Sequence, residues 1–545
     1  MAQNRKLPET EQPSLLFPET REETGEPTRG KTSKGPVRFQ DPEPTHIFIG
    51  ETSLRRYLEL NDLGWVVRLR RWISDSDLSG FFEAYDSNGR RAVHPRILLG
   101  LIVYGMLQGQ WSLRDLERLA RRDVGAWWIC GGMQPDHSTI GQFINRHASV
   151  LTESYFLSLT KMLVRHLKLS PTDVAGDGTV IEACGSRFKN LQAEALEEAA
   201  AKAREQARRN PRDAQAGERA EAVERAAELA REREDKAVGK RGTKNRVQVC
   251  LTEPEAVVQP LKNKARRPSY KPSVFANTDR FIVGKALDPS SETDGIRPML
   301  QQHERIFNSG PESLLLDAGY NSFGVLALAV ELDLDLLCPA DRQDSLRGGK
   351  PGAGKKSFSK KDFLYDPRTD RYLCPAGYEL SRRGGQYVFQ GRKQYKYRCD
   401  LPADCPHGQQ CTQSRQGRTI IRYEEDPLKE AMRQVLEDPK AKKKSRQRKA
   451  MVEPVFSVLR DRQGLRRFHR RGLDKVRMEF AMHCIAYNLG RALRLEKPGN
   501  RLFLQLFFVH LPGQYLLLFS CSGGVRQSEK RTQPLLFAVL LMFGK

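Results

Sequence analysis

Asp177 and Asp317 each close a run of strand-forming residues. Asp177 follows TDVAG in the segment TDVAGDGTVIEACGS (172–186), and Asp317 follows SLLL in SLLLDAGYNS (313–322). Ligands of open α/β sheets collect beyond the strand ends. A pair of aspartates on neighbouring strands there offers oxygen ligands to a hard cation such as Mg²⁺, which keeps open positions for water and phosphate. Asp317 alone is open to a plainer reading, that of an ordinary strand terminator.

A third acid stands in the opposite surroundings. Between 440 and 471 there are thirteen lysines and arginines against two acids, Glu453 and Asp461. In SRQRKAMVEPVFSVLRDRQGLRRF, Val452, Val455, Phe456 and Leu459 form an apolar stripe at helical spacing, while Arg446, Lys449, Glu453 and Arg460 share another face. A charge-balancing role would account for an isolated acid in such a field. A metal-binding carboxylate among phosphate-holding cations accounts for it better: two metals activate a water or 3′-hydroxyl and stabilise the leaving oxygen, and the cations hold the DNA backbone. Asp173, Glu182 and Asp294 compete as acids, the last as a candidate helix cap.

Cys374, Cys399, Cys405 and Cys411 fall in one stretch, LCPAGYEL…YRCDLPADCPHGQQC. Four thiolates can close a tetrahedral structural zinc site, with His407 as a spare ligand and reduced packing cysteines as the alternative. A closed site leaves no position for substrate, so zinc here is structural. Cys130, Cys184, Cys250, Cys338, Cys484 and Cys521 read as small buried apolar residues. GGKPGAGKKS (348–357) falls short of a phosphate-binding loop, because Lys356 stands where the magnesium-holding hydroxyl belongs and no buried strand or apolar helix flanks it.

Elements must position these groups. The chain has 545 residues and a net charge of +24, enough for two or three domains and suited to a polyanionic partner. Ten cysteines with no secretory leader point to a reducing, cytoplasmic setting. Residues 1–45, poor in apolar side chains, read as a disordered arm. Residues 46–168 read as helical, with HPRILLGLIVYGMLQGQWSLRDLERLARR and PDHSTIGQFINRH at helical spacing. Ser112 and either Asp136 or Ser138 stand as N-caps, and the second segment is a candidate DNA-recognition helix. From 169 to 495 strands and helices succeed one another as in a mixed α/β sheet. An Ala/Glu/Arg helical insertion occupies 191–245, and a basic, Cys-rich insertion occupies 341–427. The tail 496–545 is apolar, but Gln505, His510, Pro512 and Gln514 interrupt it within a bilayer's length. It reads as an edge element or as a graft from a shifted frame, and no membrane partner is expected.

VAGDGTVIEA, LLLDAGYNS and RKAMVEPVFSVLRDRQGLRRF resemble the three catalytic blocks of bacterial insertion-sequence transposases of the DDE type. The helical region 46–168 is similar to the N-terminal domain that accompanies them, and the resemblance covers roughly 50–495. It implies an α/β fold with an RNase H-like mixed-sheet core behind an all-α DNA-binding domain. Asp177, Asp317 and Glu453 match the metal-binding triad, implying Mg²⁺ or Mn²⁺ as cofactor. Arg446, Lys449 and Arg460 stand where the third block carries Tyr, Arg and Lys, so the charges are kept and the tyrosine is absent. Together with Arg466 and Arg467 they are the expected DNA-binding cations, while Tyr320 and Asn321 stand as groups that support the acids, with Tyr320 equally open to packing in the core. The implied activity is metal-dependent cleavage at the ends of a mobile element and strand transfer into target DNA, by a homodimer or larger assembly at the nucleoid. A DNA-binding relative without catalysis and a stand-alone nuclease are the rival readings.

Overall fold

The computed structural model describes residues 37–86, 91–238, 247–261, 264–339, 358, 360–389, 392–400, 405–412, 414, 416–496, 505–511, 514–520 and 536–538. Most of the 1–45 arm, the run 348–357, Cys521 and much of the tail lie outside them.

The first 130 or so described residues form helices α1 (Leu54–Leu60), α2 (Gly64–Ser74), α3 (Pro95–Leu107), α4 (Leu113–Arg122), α5 (Val124–Cys130), α6 (His137–Arg146) and α7 (Tyr155–His166). Short polar side chains set their starts. Ser112 accepts from the Asp115 N–H, Asp123 from Ala126 and Asp136 from Thr139, filling donors that a first helical turn leaves open. Asp136, not Ser138, is thus the cap of α6. Helix α3 buries every residue from Ile97 to Met106 and so forms the middle of the bundle. Helix α5 ends at Gly131 with φ +62°, where a Cβ would meet the Pro42 carbonyl oxygen at 2.1 Å; only glycine fits.

A sheet follows. Strand β1 (Asp173–Gly178) precedes a helical hairpin, α8 (Ala193–Arg209) and α9 (Ala214–Val238). Leu196, Ala226, Ala230 and Val249 give the hairpin a small core of its own, and Arg231 reaches Glu197 at 2.6 Å across the pair. Then come β2 (Arg266–Asn277), β3 (Ile282–Asp288), α10 (Ile296–Phe307), β4 (Ser313–Leu315), α11 (Phe323–Glu331) and β5 (Asp335–Leu337). The order is β3-β2-β1-β4-β5. β1 pairs antiparallel with β2 and parallel with β4, and β4 is parallel to β5. Two short strands, Ile181–Glu182 and Val257–Pro260, also pair with β2. Helix α10 opens on Gly295 without a side-chain cap, so Asp294 does not serve as one.

A second, antiparallel sheet carries β6 (Leu364–Asp366), β7 (Arg371–Leu373), β8 (Glu379–Phe389), β9 (Arg392–Arg398) and β10 (Thr419–Tyr423) in that order. Phe363, Tyr372, Leu380, Tyr397 and Ile420 fill its separate core. Helices α12 (Asp426–Val435), α13 (Pro439–Ser457) and α14 (Leu473–Leu495) complete the fold.

Helix α14 joins the two halves. Asn488 accepts from the Ile282 N–H at 2.9 Å, and its amide donates to the Ile282 carbonyl at 2.9 Å and to Thr160 Oγ1 at 3.1 Å. One hydrophobic core therefore runs through the N-terminal helices and the main sheet. In the tail, Gln505–Leu511 pairs antiparallel with Gln514–Ser520. No helix among the described residues is long and apolar enough to cross a membrane.

Candidate functional site

Leu315 of β4 is in register with Ala175 of β1. Two residues further along each parallel strand stand Asp317 and Asp177, side by side at the same end of the sheet. Gly176, between Ala175 and Asp177, has Leu316 Cδ2 at 2.5 Å and Phe275 Cε1 at 2.8 Å from where a Cβ would sit, so a side chain there would force those two side chains to shift.

Asp317 accepts from the Gly319 N–H at 2.9 Å and caps the short turn Ala318–Tyr320. Terminating the strand thus occupies one of its oxygens. Asn321 fixes the turn from behind by donating to the carbonyls of Cys338 and Pro339 at 3.1 and 3.2 Å. Tyr320 is buried, and its hydroxyl has no partner of hydrogen-bonding geometry.

Helix α13 lies across β1 and pairs two of its cations with the strand's acids. Lys444 meets Asp173 at 2.9 Å and Arg448, one turn on, meets Asp177 at 3.6 Å. Residues four apart share a face in both elements, which makes this pairing geometrically natural. Arg448 also donates to the Gly176 carbonyl at 3.4 Å. Burial pushes the Asp177 carboxyl above its ordinary value, Arg448 pulls it down, and the neighbouring Asp317 and Glu292 push it up. The competing acids have other work: Asp173 accepts from Ser313 at 2.7 Å, and Glu182 is held by Arg187 at 2.7 and 3.0 Å.

Further along, α13 gives way to a π-helical turn, Val458–Arg462, in which Arg460 donates to Thr179 Oγ1 at 3.4 Å. Glu453 lies between Arg448, anchored at Asp177, and Arg460, anchored at Thr179. Its segment therefore passes the end of β1, with the acid itself exposed. Arg446 and Lys449 are exposed on the same helix. Arg466 pairs with Asp461 at 3.1 Å. Arg467 differs: it donates to the Ala183 and Gly185 carbonyls at 3.1 and 2.9 Å, so part of its guanidinium holds the chain after β1 while the side chain stays partly exposed.

At the second sheet, Cys374, Cys399 and Cys411 belong to one small core. Cys399 N–H donates to the Arg418 carbonyl at 3.0 Å, and Arg418 donates to the Cys411 carbonyl at 3.2 Å. Burial pushes the Cys399 thiol up, and the nearby Cys374, Cys405 and Cys411 push it further. Among the described residues no group of three or more His, Cys, Asp or Glu side chains already stands at metal-binding spacing.

Residues 373–493 match the family model described as a transposase DDE domain, and residues 54–146 match a transposase domain, DUF772. The chain belongs to the DDE-type insertion-sequence transposases. The DDE match in this transposase spans Glu453, while Asp177 and Asp317 lie before its first residue. No curated protein matches the chain. Arg448 was not singled out by sequence, although it stands four residues beyond Lys444 on the stripe that faces β1. Glu292 was also missed: it lies in a Ser-rich turn and shows itself only through its place beside Gly178.

Proposed function

We propose that the transposase cleaves DNA at the ends of its element and transfers the resulting 3′-hydroxyl ends into target DNA, on an RNase H-like core. The observation that carries this reading is the register that sets Asp177 beside Asp317, under the helix that bears Glu453. The strand order β3-β2-β1-β4-β5, with three antiparallel strands followed by two parallel ones, supports the RNase H-like core.

Asp177, Asp317 and Glu453 would hold Mg²⁺ or Mn²⁺. Their all-oxygen donor set suits hard cations, and a bound metal pair would polarise the scissile phosphate and lower the pKa of an attacking water. Arg448 keeps the Asp177 carboxylate oriented and partly neutralised, and Arg460 fixes the loop after β1. Arg446 and Lys449, exposed beside Glu453, supply cations to the DNA backbone. Helix α6 presents Gln142, Asn145 and Arg146 to solvent and would read the terminal repeat. Two ends must be processed together, so the working form is a dimer or larger assembly on DNA at the nucleoid. The domains proposed are 46–168 for DNA binding and 169–495 for catalysis, with insertions at 191–245 and 341–427.

The test is cleavage and joining of a labelled element-end duplex with Mg²⁺, wild type beside Asp317→Asn. Wild-type nicking and joining, with a variant that binds but does neither, is the expected result. Nicking without joining would favour a nuclease. Binding without either would favour a DNA-binding relative.

Cys374, Cys399, Cys405 and Cys411 are proposed to hold a structural zinc, supported by their convergence at one end of the small sheet. About one zinc per chain by elemental analysis, lost in a Cys399→Ser/Cys411→Ser double variant, is the expected outcome; metal-free protein with unchanged stability would sink it.

A further inference from the structure

Trp111 stands in the turn between α3 and α4 and lies against the chain that follows the Glu453 helix. Its ring stacks on His469 with centroids 4.1 Å apart and planes 13° from parallel, and it meets His483 of α14 edge-on at 4.7 Å. The same turn is pressed close at a second point. Gly109 has φ +70°, and a Cβ there would meet the Arg462 carbonyl oxygen at 2.9 Å, so glycine suits both the conformation and the approach.

Both sides of the stack are anchored. On the catalytic side, Phe468 N–H donates to the Glu182 carbonyl at 2.9 Å and Arg467 to the Ala183 and Gly185 carbonyls, in the segment just beyond Asp177. Glu479 accepts from the His469 and Arg470 N–H groups at 2.9 Å each, and Glu253 accepts from the Gly472 N–H at 2.8 Å. On the other side, Ser112, next to Trp111, caps α4, and α4 lies on α6. Glu117 meets His137 at 2.8 Å, and Leu113 Cδ1 is 3.2 Å from where a Cβ on Gly141 would sit. Arg470 also reaches Asn145 of α6 at 3.4 Å. A short run of anchored contacts therefore leads from α6 through Trp111 and His469 to the end of β1.

The plain alternative is a boundary contact that only adds stability. Trp111 is half-buried and His469 is exposed, whereas the shared core and the buried Asn488 already hold the two halves together. A contact so placed contributes little to that hold, but it fixes the angle at which one half meets the other. Geometry at a reacting centre is sensitive to such angles: a misplacement of about 1 Å costs on the order of a hundredfold in rate.

We infer that Trp111 and His469 are positioning residues that set the distance between the terminal repeat read by α6 and the phosphate cut at the Asp177–Asp317 end of the sheet. This rests on the proposed reading of α6 as the recognition helix and of that sheet end as the cleavage site. Neighbouring phosphates of a strand are separated by about 3.4 Å along the duplex, so a joint that yields by this much brings the next phosphate to the site.

The test maps the cut on a labelled element-end duplex with Mg²⁺ at single-nucleotide resolution, beside a protection footprint, for wild type, Trp111→Ala, His469→Ala and Trp111→Phe. Wild type is expected to cut at one phosphate. Trp111→Ala and His469→Ala should keep the footprint, spread the cuts over neighbouring phosphates and lower cutting at the wild-type phosphate by about tenfold to a hundredfold. Trp111→Phe keeps a ring to stack on His469 and should restore the single cut. One sharp cut at the wild-type phosphate in both alanine variants, at any rate, overturns the inference and leaves the cleavage reading standing. Loss of the footprint in both assigns the pair to binding and overturns it too. A wild-type protein that binds the end and cuts nowhere overturns the cleavage reading as well. If Trp111→Ala fails to fold, by circular dichroism, the exposed His469→Ala alone decides.

Discussion

Asp177 and Asp317 face each other across two adjacent parallel strands, two residues beyond the Ala175–Leu315 pair. Asp177 lies on β1 and Asp317 caps the turn two residues past β4, so sheet register and that turn together set the spacing of the two carboxylates. Replacing either by asparagine keeps the volume and removes a charge. We expect Asp177→Asn or Asp317→Asn to lower strand cleavage by at least about 100- to 1000-fold, the scale of losing one electrostatic contact to a reacting group. Asp317→Asn should keep the capping bond to Gly319 and melt like wild type. Full cleavage by either variant in a gel assay would remove that carboxylate from the chemistry.

Arg448 offers a separable effect. Its guanidinium is the cation beside Asp177, and both groups are largely sheltered. Arg448→Ala leaves a half-buried carboxylate without its partner, at an expected cost of about 1–3 kcal/mol in metal-free buffer. Because a divalent cation takes over the neutralisation, added Mn²⁺ should raise the melting temperature more in Arg448→Ala than in wild type. Equal shifts would mean that Arg448 and the cation do not share Asp177.

The parts legible in the sequence are those with local signals. The cap at Ser112, strands ending at Asp177 and beside Asp317, and the apolar stripe of Val452, Val455, Phe456 and Leu459 follow from spacing alone, whereas spacing left Asp136 and Ser138 both open as the cap of α6. Register is not local. That Asp173 belongs to Lys444, that Arg467 anchors carbonyls, and that Glu292 returns beside Gly178 depend on which strands lie next to each other. Only the folded sheet brings those residues together.

The pH dependence of metal binding should follow Asp177. Its folded carboxyl is raised above the ordinary value, so the proton is held to higher pH than in a free aspartate. In metal-free protein the raised value favours the folded state most below the unfolded pKa, and that contribution is lost as pH rises through the folded pKa. Metal binding runs the other way, because the ligand must be ionised. Mn²⁺ affinity should therefore fall on acidification at a higher pH in wild type than in an Asp177→Asn control, whose weaker binding lacks that titration. Parallel profiles would detach Asp177 from the metal.

Glu479 provides a test away from the reaction. It is buried on α14, and burial pushes its carboxyl up to about 7, although the N–H groups of His469 and Arg470 donate to it and pull it down. Protonated Glu479 contributes stability that is full below its unfolded value near 4.5 and is lost as pH rises through about 7. Denaturant midpoints measured from pH 5.5 to 8.5 should fall across that window in wild type. Glu479→Gln, which cannot ionise but keeps a carbonyl oxygen for the same N–H groups, should flatten this segment of the profile. A slope unchanged in the variant would assign the titration to another group.

Asn488 makes the last prediction, on the joint between the two halves of the chain. Its side chain satisfies both the N–H and the carbonyl of Ile282 and also holds Thr160. These bonds are fully buried, so nothing replaces them on truncation. Asn488→Ala should cost about 3 kcal/mol, and Asn488→Leu at least as much, because leucine fills the volume but leaves the same groups unpaired. The loss should appear as earlier hydrogen exchange in both β3 and α7, since Ile282 and Thr160 belong to those two elements. If only β3 loosens, Thr160 takes no part in the joint, and the continuity of the core across the N-terminal helices rests on apolar packing by α14 alone.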